Sequence, residues 1–347
     1  MSTITSVPDV LDRARAAVEP TMIDAVERLN PELRTVAAYH HGWCDEHGAP
    51  TPRGGGKGVR PALALLSAEA AGADASVGVP GGVAVELVHS FSLLHDDVID
   101  GDLERRHRPT VWALYGVGPA VIVGDALLAL AQQTLLRAAP ANDTAAGAAV
   151  RTEATAELTD AVAAMIAGQA EDMAFESRTD VTVEQCLAMV AGKTGALLSC
   201  AATIGALLAG APDAVVAALR SYGTNLGVAF QAVDDVLGIW GDPERTGKPR
   251  GNDLATRKKS LPVVYALGAR RSAARELRDL LTNGPLDAGA VARGTELVDA
   301  LGGRRATETL ARSHLDAACR ALDHAGLASA ARAELTDLAR FVVEREF

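Results

Sequence analysis

Aromatic residues are scarce in this chain, 3% of 347 residues, although 48% of the residues are hydrophobic. Alanine and leucine carry the apolar content, and both favour helices. Strand-like runs of Val, Ile, Thr and Tyr are scarce as well, so the chain reads as nearly all α. Cys44, Cys186, Cys200 and Cys319 lie far apart. No CxxC pairing points to zinc, and no dense framework points to a secreted disulfide scaffold. That usage fits the reducing cytoplasm. Basic residues are outnumbered, 33 against 44 acidic, for a formal charge of −11. Such a chain is a poor general binder of nucleic acid. The first residues, MSTITSVPDVLDRARAAVEP, lack a basic region followed by an apolar one, so no signal peptide is expected. The most membrane-like stretch, residues 195–211, is rich in Ala, Gly, Ser and Thr and begins beside Lys193. It reads as a buried core helix, and no transmembrane segment is expected. No convincing Ser/His/Asp or Cys/His set for nucleophilic catalysis is present. His95 sits about 100° from Asp96 around a helix and reads as a packed residue.

Helical periodicity predicts helices over 8–18, 21–45, 58–72, 80–101, 117–138, 145–176, 183–209, 212–240, 260–282, 288–302, 304–325 and 328–346. Proline or glycine marks most of the joins. Loops are expected at 49–58, 138–147 and 241–253. No long low-complexity linker divides the chain, so one helical domain over 1–347 is expected.

Against that background the acids stand out. LLHDDVID, residues 93–100, places Asp96, Asp97 and Asp100 straight after an apolar run. Asp96 and Asp100 share one face of a helix, and His89 lies two turns earlier on the same stripe. Burying such acids without a partner is costly. An exposed acidic helix end is the plain alternative, but Leu93, Leu94, Val98 and Ile99 surround the acids. Oxygen-only ligands suit a hard cation such as Mg²⁺, with waters and phosphates completing its shell. A second run, FQAVDDVLG, sets Gln231, Asp234 and Asp235 on one face. If the two helices face each other, their carboxylates can hold several Mg²⁺ ions, and a diphosphate is the natural guest.

Cations follow the same logic. RGGGKGVRP supplies Arg53, Lys57 and Arg60 on a glycine-rich loop that opens a helix, where phosphate is attracted. Arg105, Arg106 and Arg108 follow the first acids; Lys248, Lys258 and Lys259 follow the second. Each run alone reads as solvated surface, but the repeated placement after an aspartate pair favours phosphate binding, for which arginine forks are suited. The GKT at 192–194 is no nucleotide P-loop, since Leu187 stands where the motif needs glycine and no strand precedes it.

The ordered set resembles the trans-isoprenyl diphosphate synthases, the polyprenyl synthetase family. GKGVRP, ELVHSFSLLHDDVID, RRHRPT, GQAED, KT at 193–194, FQAVDD, GKPRGND and KKSLP occur in the family's order over nearly the whole chain. The resemblance implies a single-domain antiparallel helical bundle around a deep central cavity, the isoprenoid synthase fold, and a homodimer. It implies Mg²⁺ ligation by Asp96 and Asp100 with Asp97 alongside, and by Asp234 supported by Asp235, with three ions per site. Arg105, Lys193, Gln231, Lys248 and Lys258 match positions holding an allylic diphosphate. Lys57, Arg60, His89 and Arg106 match positions holding isopentenyl diphosphate, and Thr194 follows Lys193 in the substrate site. Phe91 and Ser92, just before the first acids, match the floor that limits product length, which implies C15 to C20 products with C20 slightly favoured. Two positions depart from the family pattern: Gly238 stands where a third aspartate usually closes the second motif, and His107 where glycine commonly follows the arginines.

Two alternatives remain at this stage. A terpene cyclase shares such bundles and acids but needs no isopentenyl site, and no Asn/Ser/Glu metal motif of the cyclase type is present. An inactive regulatory subunit of a heteromeric synthase rests on Gly238 alone.

Overall fold

The computed structural model describes residues 7–51, 56, 58–138, 145–243, 249–283, 286–323 and 325–344. It is built almost wholly of helices, with a two-residue-per-strand hairpin as its one sheet among the described residues. The all-α expectation holds. The helices that concern the site are α1 (Val7–Glu27), α2 (Pro31–His40), α3 (Val59–Ala70), α4 (Val79–Asp100), α5 (Val111–Tyr115), α6 (Val117–Leu136), α7 (Ala145–Glu176), α8 (Val183–Val190), α9 (Ala196–Leu208) and α10 (Asp213–Trp240). The hairpin, β1 (Glu104–Arg105) and β2 (Arg108–Pro109), sits between α4 and α5.

Three boundaries differ from expectation, each for a local reason. Pro20 does not break α1, which runs through it. The break falls instead at Asn30, whose side chain caps α2 by accepting from Leu33 N at 2.9 Å, with Pro31 in the first helical position. Residues 260–282 form two helices, Leu261–Leu267 and Ser272–Thr282, with the turn at Gly268–Arg271 between them. Between α8 and α9, Ala191–Gly195 forms one π-helical turn, a local widening that recurs at functional sites.

The contacts group the chain into two compact units. One takes residues up to Val162, Cys200–Arg220 and Leu322–Leu338. Its helices α1, α3, α4 and α6 pack on one another around fully buried Leu63, Leu66, Leu87, Leu127 and Leu158. The other takes Ala163–Ser199, Ser221–Ala321 and the residues from Ala339. Its core gathers Ile239, Leu254, Val263, Leu277, Leu297 and Val298.

By length and composition, three helical stretches among the described residues are apolar enough to cross a membrane: Ala75–Asp100, Val117–Leu136 and Val183–Leu208. Sequence reading had singled out only part of the third. In the first and third, 61% of the apolar window is buried inside the chain, so their apolarity is core packing. The Val117–Leu136 window is 44% buried, and Val117, Ile122 and Leu136 remain exposed on it.

Candidate active site

In the first unit the acids end α4, which Gly101 closes in the left-handed region at φ 69°. Consecutive helix positions differ by about 100°, so Asp96 and Asp97 cannot share a face. Asp100 is exposed and Asp96 half-buried, while Asp97 is only 2% exposed. The hairpin folds back and delivers Arg105 to that buried carboxylate, with Nε at 2.8 Å and Nη2 at 2.7 Å from Asp97 Oδ1. Asp97 is therefore held by Arg105, which is committed to it along one edge of its guanidinium. Trp112 Nε1 and Thr110 Oγ1 both donate to Asp102 O at 2.8 Å and anchor the hairpin's base. Arg108 is structural as well, donating to Cys44 O at 2.8 Å and lying 4.2 Å from the centre of the Tyr39 ring.

The hairpin's two turn residues, Arg106 and His107, have φ of 53° and 60°. Both residues thus occupy the left-handed region that glycine adopts without strain. The turn presents Arg106 to a cavity of about 610 Å³ in this unit. Its lining is mixed: α1 contributes Val18, Met22 and Ile23 together with charged residues such as Glu19, and His40, His41, Glu86, His89 and Arg106 line it as well. Burial, and next the charges of Arg60 and Arg106, hold His89 well below the ordinary imidazole range, so it is neutral. Burial raises the Glu86 carboxyl, and Arg60 and Arg106 pull it back. Arg60 lies in the first turn of α3. Ser92 Oγ turns back on its own helix, donating to His89 O at 2.9 Å.

Phe91 is buried and packs edge-on to His95, ring centres 4.8 Å apart. It shares the stripe of His95, not that of Asp96 and Asp100, as the helical wheel requires. His95 in turn lies over Gly124, where a Cβ would stand 2.6 Å from His95 Cδ2. Only glycine leaves room for that ring.

In the second unit the pattern of the acids repeats. Asp234 is exposed and Asp235 is 2% exposed. Asp235 Oδ1 accepts from Gln231 Nε2 at 2.9 Å, and Oδ2 accepts from Leu261 N at 2.9 Å. Thr194 Oγ1 donates to Gln231 Oε1 at 2.7 Å. Thr194, Gln231 and Asp235 thus form one hydrogen-bonded chain, which steadies Asp235. Lys258 Nζ lies 3.7 Å from Asp235 Oδ1 and 3.9 Å from Asp253 Oδ2. Burial alone would lower Lys258, but Asp235, Asp253, Asp172 and Asp234 outweigh it and raise the lysine above its usual range. Lys193, on the π-helical turn, reaches Asp172 Oδ2 at 2.5 Å.

The missing third aspartate has a structural counterpart. A Cβ on Gly238 would collide with the Asp253 carboxylate, its Cγ 2.5 Å away. Asp253, itself buried, occupies the space that a side chain at 238 would need.

Lys57 and Lys248 lie outside the described residues. Among the described residues no three His, Cys, Asp or Glu side chains are gathered to hold an ion by themselves. In each unit the first acid of the pair, Asp96 on α4 or Asp234 on α10, offers hard oxygen donors. That suits Mg²⁺, which keeps few protein ligands and takes the rest from phosphate and water.

Comparison with known proteins decides the family. The polyprenyl synthetase family profile matches residues 42–298. The chain belongs to the polyprenyl synthetase family. It is 47% identical over 343 residues to a (2E,6E)-farnesyl diphosphate synthase of Mycobacterium bovis, covering 97% of this chain and 93% of that one. It is 45% identical over 317 residues to a geranylgeranyl diphosphate synthase of Mycobacterium tuberculosis, covering 91% and 89%. The crystal structure of a polyprenyl synthetase from Streptomyces coelicolor A3(2) is 48% identical and superposes with a TM-score of 0.90, covering 97% of this chain and 100% of that one. The fold of this polyprenyl synthetase is therefore the all-α isoprenoid synthase fold.

Sequence reasoning did not single out His40, His41, Glu86, Asp172 or Asp253. Asp172 and Asp253 stood inside the quoted strings GQAED and GKPRGND, but only the fold shows that they face Lys193 and Lys258.

Proposed function

We propose that this polyprenyl synthetase, a prenyltransferase of the short-chain type, joins isopentenyl diphosphate head-to-tail to an allylic diphosphate. The product is a trans-prenyl diphosphate, geranylgeranyl (C20) in preference to farnesyl (C15). The observation that carries this reading is the division of labour within each aspartate pair. The first acid faces outward and the second is buried, fixing a cation: Arg105 at Asp97, Lys258 at Asp235. One arrangement appears twice, as a reaction needs that must place several charges around one leaving diphosphate.

Asp96, Asp100 and Asp234 would hold Mg²⁺, three ions per site. The metal, when bound, neutralises charge building on the departing diphosphate. Lys193 and Lys258 add fixed positive charge, and Asp172, Asp235 and Asp253 keep those ammonium groups aimed. The allylic C–O bond breaks and its electron pair leaves with the diphosphate. The double bond of isopentenyl diphosphate then attacks the allylic cation. The released diphosphate takes the proton lost from the adduct, so the step needs no base from the protein. Arg60, His89 and Arg106 hold the isopentenyl diphosphate. Phe91 closes the product channel.

The exposed Val117, Ile122 and Leu136 of α6 support a homodimer in which a second copy covers that helix. The four cysteines are free thiols, which supports a reducing cytoplasmic setting.

The test is turnover of purified protein with Mg²⁺, geranyl diphosphate and isopentenyl diphosphate, followed by product sizing. Elongation only with both substrates supports the reading. Hydrocarbon formed from geranyl diphosphate alone would mark a cyclase, and activity only beside a partner chain would mark a regulatory subunit.

A further inference from the structure

YHHGW, residues 39–43, played no part in the family resemblance. It closes α2: Gly42 takes φ 73°, and the turn, with Trp43 N donating to Ala38 O at 2.9 Å, brings the Trp43 ring against His41. The rings stack with centres 4.6 Å apart and planes 21° from parallel. His40 meets the other ring edge-on at 5.5 Å. His41 is therefore fixed in orientation, and it lines the same cavity as His89 and Arg106. Its Nε2 is nevertheless buried without a hydrogen-bond partner. Leaving a buried polar nitrogen unpaired is costly, and proteins retain such groups where a partner arrives later.

We propose that His41 is a further binding residue for the diphosphate of isopentenyl diphosphate, with Trp43 as the platform that aims it. The inference rests on the assignment of this cavity to that substrate under Proposed function. The cavity offers contacts for both ends of an amphiphile, since its lining includes Arg106 and the imidazoles as well as apolar Val18, Met22 and Ile23, with acids of α1 and α4 among them. Burial, and then the charge of Arg106, lower His41 to about 4, so the ring is neutral at pH 7. A neutral imidazole carries one N–H donor. It adds a directed hydrogen bond to an anionic oxygen that Arg106 attracts by charge.

The test is calorimetric titration of the full chain with isopentenyl diphosphate in Mg²⁺, without allylic substrate. His41→Phe keeps a ring on Trp43 and removes both nitrogens. It is expected to weaken binding by about tenfold or more, the loss of a hydrogen bond to a charged group, while KM for geranyl diphosphate stays unchanged. His41→Gln, which retains an N–H donor, should recover most of the affinity. Wild-type affinity in a folded His41→Phe overturns the proposal, and so does equal weakening toward both substrates. Arg106→Ala separates the two levels of the argument. If Arg106→Ala loses binding and His41→Phe does not, only the role of His41 falls. If the wild-type protein binds no isopentenyl diphosphate, or Arg106→Ala binds it normally, the cavity assignment falls and takes this proposal with it. Should both His41 variants lose the fold, tryptophan emission of the wild-type chain decides. Ligand seated against His41 perturbs Trp43, and unchanged emission at saturating isopentenyl diphosphate overturns the proposal.

Discussion

The carboxylate of Asp253 lies against Gly238, and there is no room for a side chain at 238 while Asp253 stays where it is. Asp253 also faces Lys258 at 3.9 Å, so the glycine preserves an acid–lysine contact. Gly238→Asp, which restores the family's usual residue, is therefore expected to harm this chain. It should displace Asp253, cost about 1–3 kcal/mol of stability as an overpacked site does, and reduce kcat. Gly238→Asp combined with Asp253→Gly should recover part of both losses, because the two positions compete for one space. Thermal melts and steady-state kinetics of the three variants check this; a fully active, stable Gly238→Asp would refute it.

The two members of each aspartate pair should separate by the kind of damage they cause. Asp96→Ala and Asp234→Ala remove outward acids and should abolish activity while leaving the melting temperature near wild type. Asp97→Ala and Asp235→Ala strand Arg105 or the Gln231 amide and should lower stability as well. For Asp97 the loss should be somewhat below the about 3–5 kcal/mol of a fully buried pair, because Arg105 is 31% exposed. Denaturant titration beside an activity assay distinguishes the groups.

Product length offers a separate check. Phe91→Ala removes a buried ring that packs on His95 and should yield products beyond C20. Gly124→Ala pushes on His95 from behind and should shift chain length in the folded enzyme without altering Asp96, Asp100 or Asp234. Chromatography of dephosphorylated products reads both, and unchanged length in Phe91→Ala would remove that residue from the floor.

The hairpin turn carries a correctable strain. His107 sits at φ 60°, a conformation that costs a residue with a Cβ about 1–2 kcal/mol. His107→Gly should raise stability by about 1 kcal/mol, visible as a higher melting temperature with binding of both substrates intact.

Much of this was legible in the chain itself. The helical periodicity located α3, α4, α6, α7 and α10 closely, because long apolar stripes leave little choice of structure. The motif strings named the residues around both lysines. What the strings could not show was which acid of each pair is buried, and against what. A helical wheel places neighbours on different faces, but only the packing tells which face is buried. The partners of those buried acids come from outside their own helices: the hairpin that follows α4 for Asp97, the start of the Leu261–Leu267 helix for Asp235. Pro20 misled for a related reason. Its local cost was outweighed by the apolar face of α1, with Val18 and Met22 buried on either side of it.

The central reaction is metal-dependent condensation of the two diphosphates. The most direct measurement is chromatographic sizing of products from purified enzyme given geranyl and isopentenyl diphosphates, with Mg²⁺ and again in excess chelator. It should show a C20 prenyl diphosphate that vanishes with the chelator and when isopentenyl diphosphate is omitted. Undiminished turnover in chelator would contradict it.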